Sequence, residues 1–476
     1  MAIRGLTFDI ATTPIAAKNA DEFEVTAPVS MDLRNGVLTD VGNWQKRPGL
    51  GAYLELGVNE QVDKIIDDAP GYAITRLNKV YNLATNTLIG TIDGTANFID
   101  WVRTNDGIVV ARGATLWLLN PSSVAAISGA PNGVTTVAFI NGRVVVAGHS
   151  GRQIRWSDAG ESPTLSWSDA NVTSIDARGD SVLQISDRNN QLLVFTDKHI
   201  EVWSNTGAVI SGSVQVFARS ATLMRGAISP ASIIFANDTY YWFGDDGDFY
   251  ALAGSSLQVI SAEYRREIDT LRTASNLYGI HFPQERIIRW YFPTQGRTLV
   301  YDYQQGFWSE DNAWVSGCWE RIPVRSGGQL ARTMLIGSFE PDGKVWDWSK
   351  DNLDDDGSVI RNYRQVRFLM TADGDLGRLT RLRYRVKRGT TPTGQRNSLF
   401  TWRVRMDRGD WEDWVNSPLG VAGDQDPWLE YFELGEGREV ELEMVQSDTA
   451  EWIVDQVQVT VNPLGTVSRR RRSTKK

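Results

Sequence analysis

A short hairpin recurs along the chain, and its period limits the available folds more than any other feature. The clearest copy is 192-LLVFTDKHIEVWS-204: an apolar strand, a Thr-Asp turn, and a second strand that alternates toward a tryptophan. The same shape returns at 107-GIVVARGATLWLL-119, 143-RVVVAGHSGRQIRWS-157, 239-TYYWFGDDGDFYAL-252, 287-IIRWYFPTQGRTLVYD-302 and 333-TMLIGSFEPDGKVWDWS-349, with a weaker copy at 72-YAITRLNKVYNL-83. One central residue per copy (Ala73, Val109, Val145, Val194, Trp242, Trp290, Leu335) gives intervals of 36, 36, 49, 48, 48 and 45 residues. Propeller blades have periods of roughly 40 to 50 residues. Strand-like runs such as VTTVAFINGR, VLQISDRNNQ, SIIFAND and NLYGIHFPQER lie just upstream of four copies, and PTLSW and SVQVF are available as outer fourth strands. The expected fold is therefore an all-β propeller over 61–350, with seven copies counted and six to eight blades compatible with the count.

Wide side chains at repeated positions fill the gaps that open between twisted blades. Trp117, Trp156, Trp203, Trp242, Trp290 and Trp346 are assigned to this repeat core. His199 falls in a hairpin turn and reads as an ordinary turn-side residue, because three histidines in 476 residues leave it few partners for acid–base work.

From Arg364 the pattern changes to longer alternating strands, RQVRFLM, RLTRLRYRVKRG, SLFTWRVRMD, REVELEMVQ and WIVDQVQVTV, which predict a β-sandwich over 364–465. Residues 1–60 are expected to pack on or close the propeller, and the Asp-rich stretch 351–363 to link the two domains. Asn352, Asp354, Asp356 and Gly357 resemble the start of a calcium loop, but position twelve is Tyr363 where a bidentate Glu is needed, so a solvated linker is preferred. Residues 466–476 form a basic tail expected to be disordered. Its Arg469, Arg470, Arg471, Arg472, Lys475 and Lys476 are candidates for binding phosphate or an acidic partner. Without those six cations the formal charge of −9 becomes −9 − 6 = −15, so the rest of the chain is acidic.

One cysteine, Cys318, and three histidines, His149, His199 and His281, exclude a disulfide framework and a Cys- or His-rich zinc cluster within the chain. No signal-peptide core and no apolar run near ~18 residues is present, so a soluble protein made in a reducing cytoplasm is expected. No G-x-S-x-G, H-E-x-x-H or Walker loop occurs, and no catalytic residue, metal or cofactor is assigned. Asp245, Asp246 and Asp248 could suggest glycoside hydrolysis, yet 244-GDDGD-248 occupies the turn of a repeat, where Asp and Gly serve backbone geometry. The stretch 406-MDRGDWEDW-414 resembles an Asp-box turn, a structural element.

Several segments resemble the packaged-DNA stabilisation proteins of short-tailed bacteriophages, also called tail hub or nozzle proteins. They are 199-HIEVWSNTGA-208, 218-ARSATLMRGAISPASIIFANDTYYWFGDDGDFYAL-252 and 259-VISAEYRREI-268, together with 35-NGVLTDVGNWQKRPGL-50 near the front and 403-RVRMDRGDWEDWVNSPLGVAGDQDPWLEYFELGEGREVELEMV-445 near the end. The family's usual Ser-Asp-Asp-Gly-Gly turn appears here as Met406-Asp407-Arg408-Gly409-Asp410, and its frequent Cys before Ala-Pro is replaced in Ala227-Ile228-Ser229-Pro230. The resemblance implies a virion tail protein without enzymatic activity or membrane anchor. It implies a homohexamer that continues the DNA channel below the portal's adaptor ring and contacts tail fibres or tailspikes and a needle or plug protein. Such a ring retains the double-stranded genome and releases it at ejection. The competing expectation is a glycan-binding or glycan-degrading propeller, with an axial pocket lined by aromatics and two opposed carboxylates. A peptide-binding host scaffold is a third.

Overall fold

The computed structural model describes residues 6–9, 29–38, 43–57, 59–148, 152–160, 162–175, 180–210, 213–274, 276–371, 374–388, 398–419, 428–450 and 452–464. The fold is an all-β propeller followed by a β-sandwich. Among these residues no helix is long and apolar enough to cross a membrane.

Four-stranded antiparallel sheets occupy residues 62–91, 100–126, 136–174, 182–223, 234–259 and 278–310 and form blades one to six. Blade seven takes its three inner strands, Val324–Leu330, Thr333–Ser338 and Lys344–Ser349, from one end of the propeller region. Its outer strand, Gly49–Glu55, comes from the N-terminal region. The first strands of neighbouring blades lie side by side around an axis, with Val324–Leu330 returning to Val62–Ile66. All seven repeat centres, Ala73 through Leu335, fall on second strands and have no exposed surface.

A twisted blade must bury both faces, and each of the seven gaps between blades holds its own hydrophobic cluster. Ile74, Val80 and Ile108 bridge blades one and two; Leu335 and Val345 meet Val62 and Tyr81 where the ring closes. The fillings differ. The gap between blades two and three is mainly aliphatic, built on Val109, Val137 and Val144, whereas Phe249, Trp290, Phe292 and Trp308 crowd the gap between blades five and six. The six repeat tryptophans consequently do not share one position. Trp117, Trp156, Trp203 and Trp346 sit on third strands and Trp242 and Trp290 on second strands; Trp117 is half-buried and the other five buried.

The outer strand of blade three is Val172–Ser174, and the expected PTLSW strand is instead a loop. Asp158 accepts hydrogen bonds from Ser166 Oγ (2.6 Å) and Asn171 Nδ2 (2.7 Å), while Thr164 donates to Asp106 of blade two at 2.6 Å. Side-chain bonds thus hold this segment in a conformation that competes with strand pairing. SVQVF does supply an outer strand, within Ser213–Leu223 of blade four.

The N-terminal region does more than close the ring. Val29–Arg34 and Gly36–Leu38 followed by Trp44–Lys46 enter the two sheets of the sandwich, and Leu6–Asp9 pairs with Trp452–Pro463. The sandwich core includes Trp44, Phe368, Tyr384, Trp402, Leu442 and Trp452. In the strand Gly377–Arg388, Leu382, Tyr384 and Val386 point inward while Arg381, Arg383 and Arg385 keep partial solvent exposure, the period-two pattern of a half-buried strand. One sandwich sheet continues directly from blade six, because Val29–Arg34 also bridges in parallel to Phe307–Glu310.

Ring and sandwich meet at a buried polar joint. Arg47, with no exposed side-chain surface, donates to Asp355 through Nη1 (2.9 Å) and Nη2 (2.5 Å) and to Asn35 Oδ1 through Nε (3.0 Å). Asp311 lies 3.8 Å from Arg47 Nε and accepts from Arg289 Nε at 2.7 Å; Arg289 also bonds Glu285 and stacks over Phe282 and Trp348. Lys46 Nζ donates to the carbonyls of Leu353 (2.5 Å) and Asp448 (2.9 Å), and burial, with Arg47 adjacent, pulls its ammonium down to about 8. The stretch expected as a solvated linker is therefore part of the joint: Asp354–Asp355 and Ser358–Val359 form a hairpin on blade seven, and Asp355 is buried. Two glycines are required here. A Cβ at Gly36 would overlap the Trp44 indole nitrogen, and one at Gly49 the carbonyl oxygen of Asp354.

Removing one member of a buried ion pair leaves an uncompensated charge, at a cost of about 3–5 kcal/mol. Arg47→Met should lower the urea midpoint of the full chain accordingly. Arg47→Lys should fall between, since an ammonium cannot reproduce the fork. Unchanged midpoints for both variants would show that the joint contributes nothing to stability.

Candidate functional site

The propeller axis is where side chains from all seven blades converge. A cavity of about 750 Å³ opens there, on the face carrying the turns of the repeated hairpins and the approaches to the first strands. Gln61, Arg76, Asn97, Phe98, Arg325 and Phe339 are among its walls. A narrower space of about 130 Å³ continues past Asp63, Lys64, Asp100 and Gln184.

The first-strand wall is tied together across blades. Asp100 of blade two accepts from Thr136 Oγ1 (2.6 Å) and the Val137 amide (3.0 Å) of blade three, and Thr136 Oγ1 in turn accepts from the Ile185 amide of blade four at 3.0 Å. Burial raises the Asp100 carboxyl to about 6 despite these bonds and the nearby Lys64. Burial likewise lowers the Lys64 ammonium, opposed by Asp100 and Asp67. At the ring closure Ser326 Oγ donates to the Val62 carbonyl at 2.8 Å and the Gln329 amide to Asp67 at 3.1 Å.

Above this wall three arginines share one carboxylate. Arg112 Nη2 lies 2.6 Å from Asp63 Oδ2, Arg325 Nε 3.2 Å from Oδ1 and Arg76 Nη1 3.5 Å from Oδ2. Asp63 has no exposed side-chain surface, whereas the Arg76 side chain is 46% exposed toward the pocket. None of Asp63, Lys64, Arg76, Asp100, Arg112 and Arg325 lies in a sequence motif that points to a site. The available signal was the Asp-Lys pair inside the otherwise apolar run 62-VDKII-66 and a cation in the turn of the weakest hairpin copy.

No protein-family model matches the sequence. No curated protein matches it either. Among solved structures, the chain is similar to the WD40 repeats of RRP9, at 11% identity and TM-score 0.40, covering 64% of this chain and 98% of that one. It is also similar to BamB from Moraxella catarrhalis, at 12% identity and TM-score 0.38 over 68% and 99% of the two chains. The computationally designed Ika8 protein matches at 13% identity and TM-score 0.36 over 63% and 99%.

Residues singled out from the sequence lie elsewhere. His199 is not an ordinary turn residue: it is buried, with Nδ1 2.5 Å from Asp180 and Nε2 3.2 Å from Glu201, which also accepts from Trp203 Nε1 at 2.8 Å. The hairpin turn folds back so that Thr196 Oγ1 accepts from the His199 amide at 2.9 Å, which seats the ring among these carboxylates. Asp245, Asp246 and Asp248 are each occupied within their turn: by Lys198, by Tyr250 and Arg225, and by Ser261 and Arg265. In the calcium-like loop Asp354 Oδ1 accepts the Gly357 amide and Asp356 pairs with Lys344. Burial lowers His281 to about 4, and its Nε2 lies 3.2 Å from the Tyr303 hydroxyl. Cys318 is exposed. His149 and the tail cations Arg469, Arg470, Arg471, Arg472, Lys475 and Lys476 lie outside the described residues.

A carboxyl whose folded value, about 6, exceeds its ordinary 3.8 binds its proton more tightly in the folded state. Its contribution is complete below about 3.8 and is lost as the pH rises through about 6. Asp100→Asn removes this titration, so the stability of the variant relative to the parent should rise between pH 4 and pH 7 by roughly 1–3 kcal/mol. Urea titrations at both pH values measure it, and a pH-independent difference would contradict the assignment.

Proposed function

We propose that this chain is a structural subunit of the tail hub, or nozzle, of a short-tailed bacteriophage. In this reading it assembles as a homohexameric ring below the adaptor ring, holds tail fibres or tailspikes and a needle protein, retains the packaged double-stranded DNA and passes it at ejection. The observation that carries the proposal links sequence to geometry. The front segment on which the family resemblance rests, 35-NGVLTDVGNWQKRPGL-50, is the one whose Asn35, Gly36, Arg47 and Gly49 form the joint between ring and sandwich. A subunit whose two modules share a sheet and a buried ion-pair network can transmit force without hinging, as a pressurised channel requires. The acidic balance outside the tail, −15, would favour sliding of DNA over sticking.

The glycan reading has weaker support. The axial pocket has aromatic walls in Phe98 and Phe339, but the carboxylates of the narrower space that continues from it are engaged: Asp63 by three guanidiniums, Asp100 by a hydroxyl and two amides. A general acid and an opposed nucleophile need freedom that these groups lack.

Quantitative mass spectrometry of purified virions from the encoding phage is the direct test. The proposal expects about half as many copies of this chain as of the portal subunit; absence from the virion would end it, and turnover of host polysaccharide by the isolated chain would put the glycan reading in its place.

A further inference from the structure

The arginine cluster at the axial pocket carries more positive charge than the protein supplies counter-charge. Arg76, Arg112 and Arg325 have Asp63 as their shared carboxylate, a balance of 3 − 1 = +2 in a recessed site. Arg321 stands nearby, stacked on the pocket-lining Phe339 at 3.4 Å, and among the described residues no carboxylate is within ion-pair distance of it. The neighbouring charges leave an excess: Lys79 is paired with Glu60, Lys64 with Asp100 and Asp67 contributes 1 − 2 = −1, and Arg321 contributes +1, so the balance stays at +2.

Part of the cluster has a structural task. Arg112 Nη1 donates to the Thr75 carbonyl at 2.9 Å and Arg325 Nη2 to the Asn97 carbonyl at 3.0 Å, which fixes both guanidiniums across blade boundaries. Those carbonyls position the groups without neutralising them. Arg112 Nε and Arg321 Nη1 are buried without a hydrogen-bond partner. Burial also lowers the Arg112 guanidinium, with Asp63 opposing and Arg76 and Arg325 adding to the fall. Burying unpaired charge and unsatisfied donors is unfavourable, and a bound anion would offset both.

We propose that the axial pocket is a binding site for an oxyanion, a carboxylate or phosphate group, held by Arg76 and Arg325 at its wall, with Arg112 and Arg321 supplying charge from behind. The fork of a guanidinium matches the two oxygens of either group. A cavity of about 750 Å³ has room for a small organic acid or for the acidic side chains of an inserted peptide segment. The proposal is independent of the tail-hub reading, since any propeller with this axial charge would recruit such a group.

The test is calorimetric titration of the full chain with inorganic phosphate, with citrate and with hexaglutamate, each against sodium chloride of equal ionic strength. Saturable binding to one or more of them is expected, weakened about tenfold or more in Arg76→Gln. Arg76 is the variant of choice because its half-exposed side chain makes the weakest contact with Asp63. Arg325→Gln should weaken binding too, and circular dichroism identifies any variant that misfolds and is to be set aside in favour of Arg76→Gln. Tighter binding of hexaglutamate than of citrate would mark a peptide segment as the occupant, and the reverse a free anion. No saturable binding of any probe above the chloride control, or equal binding by the parent and a folded Arg76→Gln, overturns the proposal.

Discussion

The Arg47 side chain has no exposed surface, so its charge is tolerable only while Asp355, Asn35 and Asp311 are all in place around it. Those three partners come from the blade-seven hairpin, the sandwich strands of the front segment and the end of blade six. A single guanidinium therefore makes the correct placement of three distant segments interdependent. Hydrophobic burial supplies most of the gross stabilisation in the ring and sandwich, but it is non-directional. The forked ion pair is directional, and it fixes which edge of the ring faces the sandwich.

The ring itself has no comparable centre. Its seven hydrophobic clusters lie between blades, and the axis is polar, stitched by Asp100, Thr136 and the Ile185 amide on one side and by Asp63 with its arginines near the closure. Mass around the ring is uneven as well. The gap between blades five and six is crowded with aromatic rings, and blade six, which forms one of its walls, is the blade whose sheet runs on into the sandwich.

The propeller could be read from sequence because its signal is local: a hairpin is contiguous, and its apolar strand and turn recur whatever the distant partners. The seven repeat centres are fully buried second-strand residues for that reason. What could not be read is pairing across the chain. Gly49–Glu55 looks like any other alternating segment, and nothing near it says that its partner is Lys344–Ser349. The same holds for side chains. Arg76 in a turn and Asp355 in an Asp-rich run look solvated until neighbours from other blades bury or surround them, and His199 looks like a turn residue until Asp180 and Glu201 close on it. The Asp-box-like turn could be read in outline only: Asp407 does cap the Arg438 and Glu439 amides, but the stacking of Trp411 and Trp414 on Arg403 depends on a sheet face that spacing alone does not define.

Closing blade seven with a strand from the front of the chain has a consequence for synthesis. The ribosome delivers Gly49–Glu55 long before the three strands that it completes, and Arg47 waits for a carboxylate 308 residues further on. Blades one to six can form by local pairing as they emerge, but the strand that seals the ring has to remain unpaired until Lys344–Ser349 has been made. Late, long-range closures of this kind are slow and leave sheet edges open to other chains in the interval. In a crowded cell the nascent chain thus has its greatest tendency toward strand exchange with a neighbouring copy just before the ring is sealed.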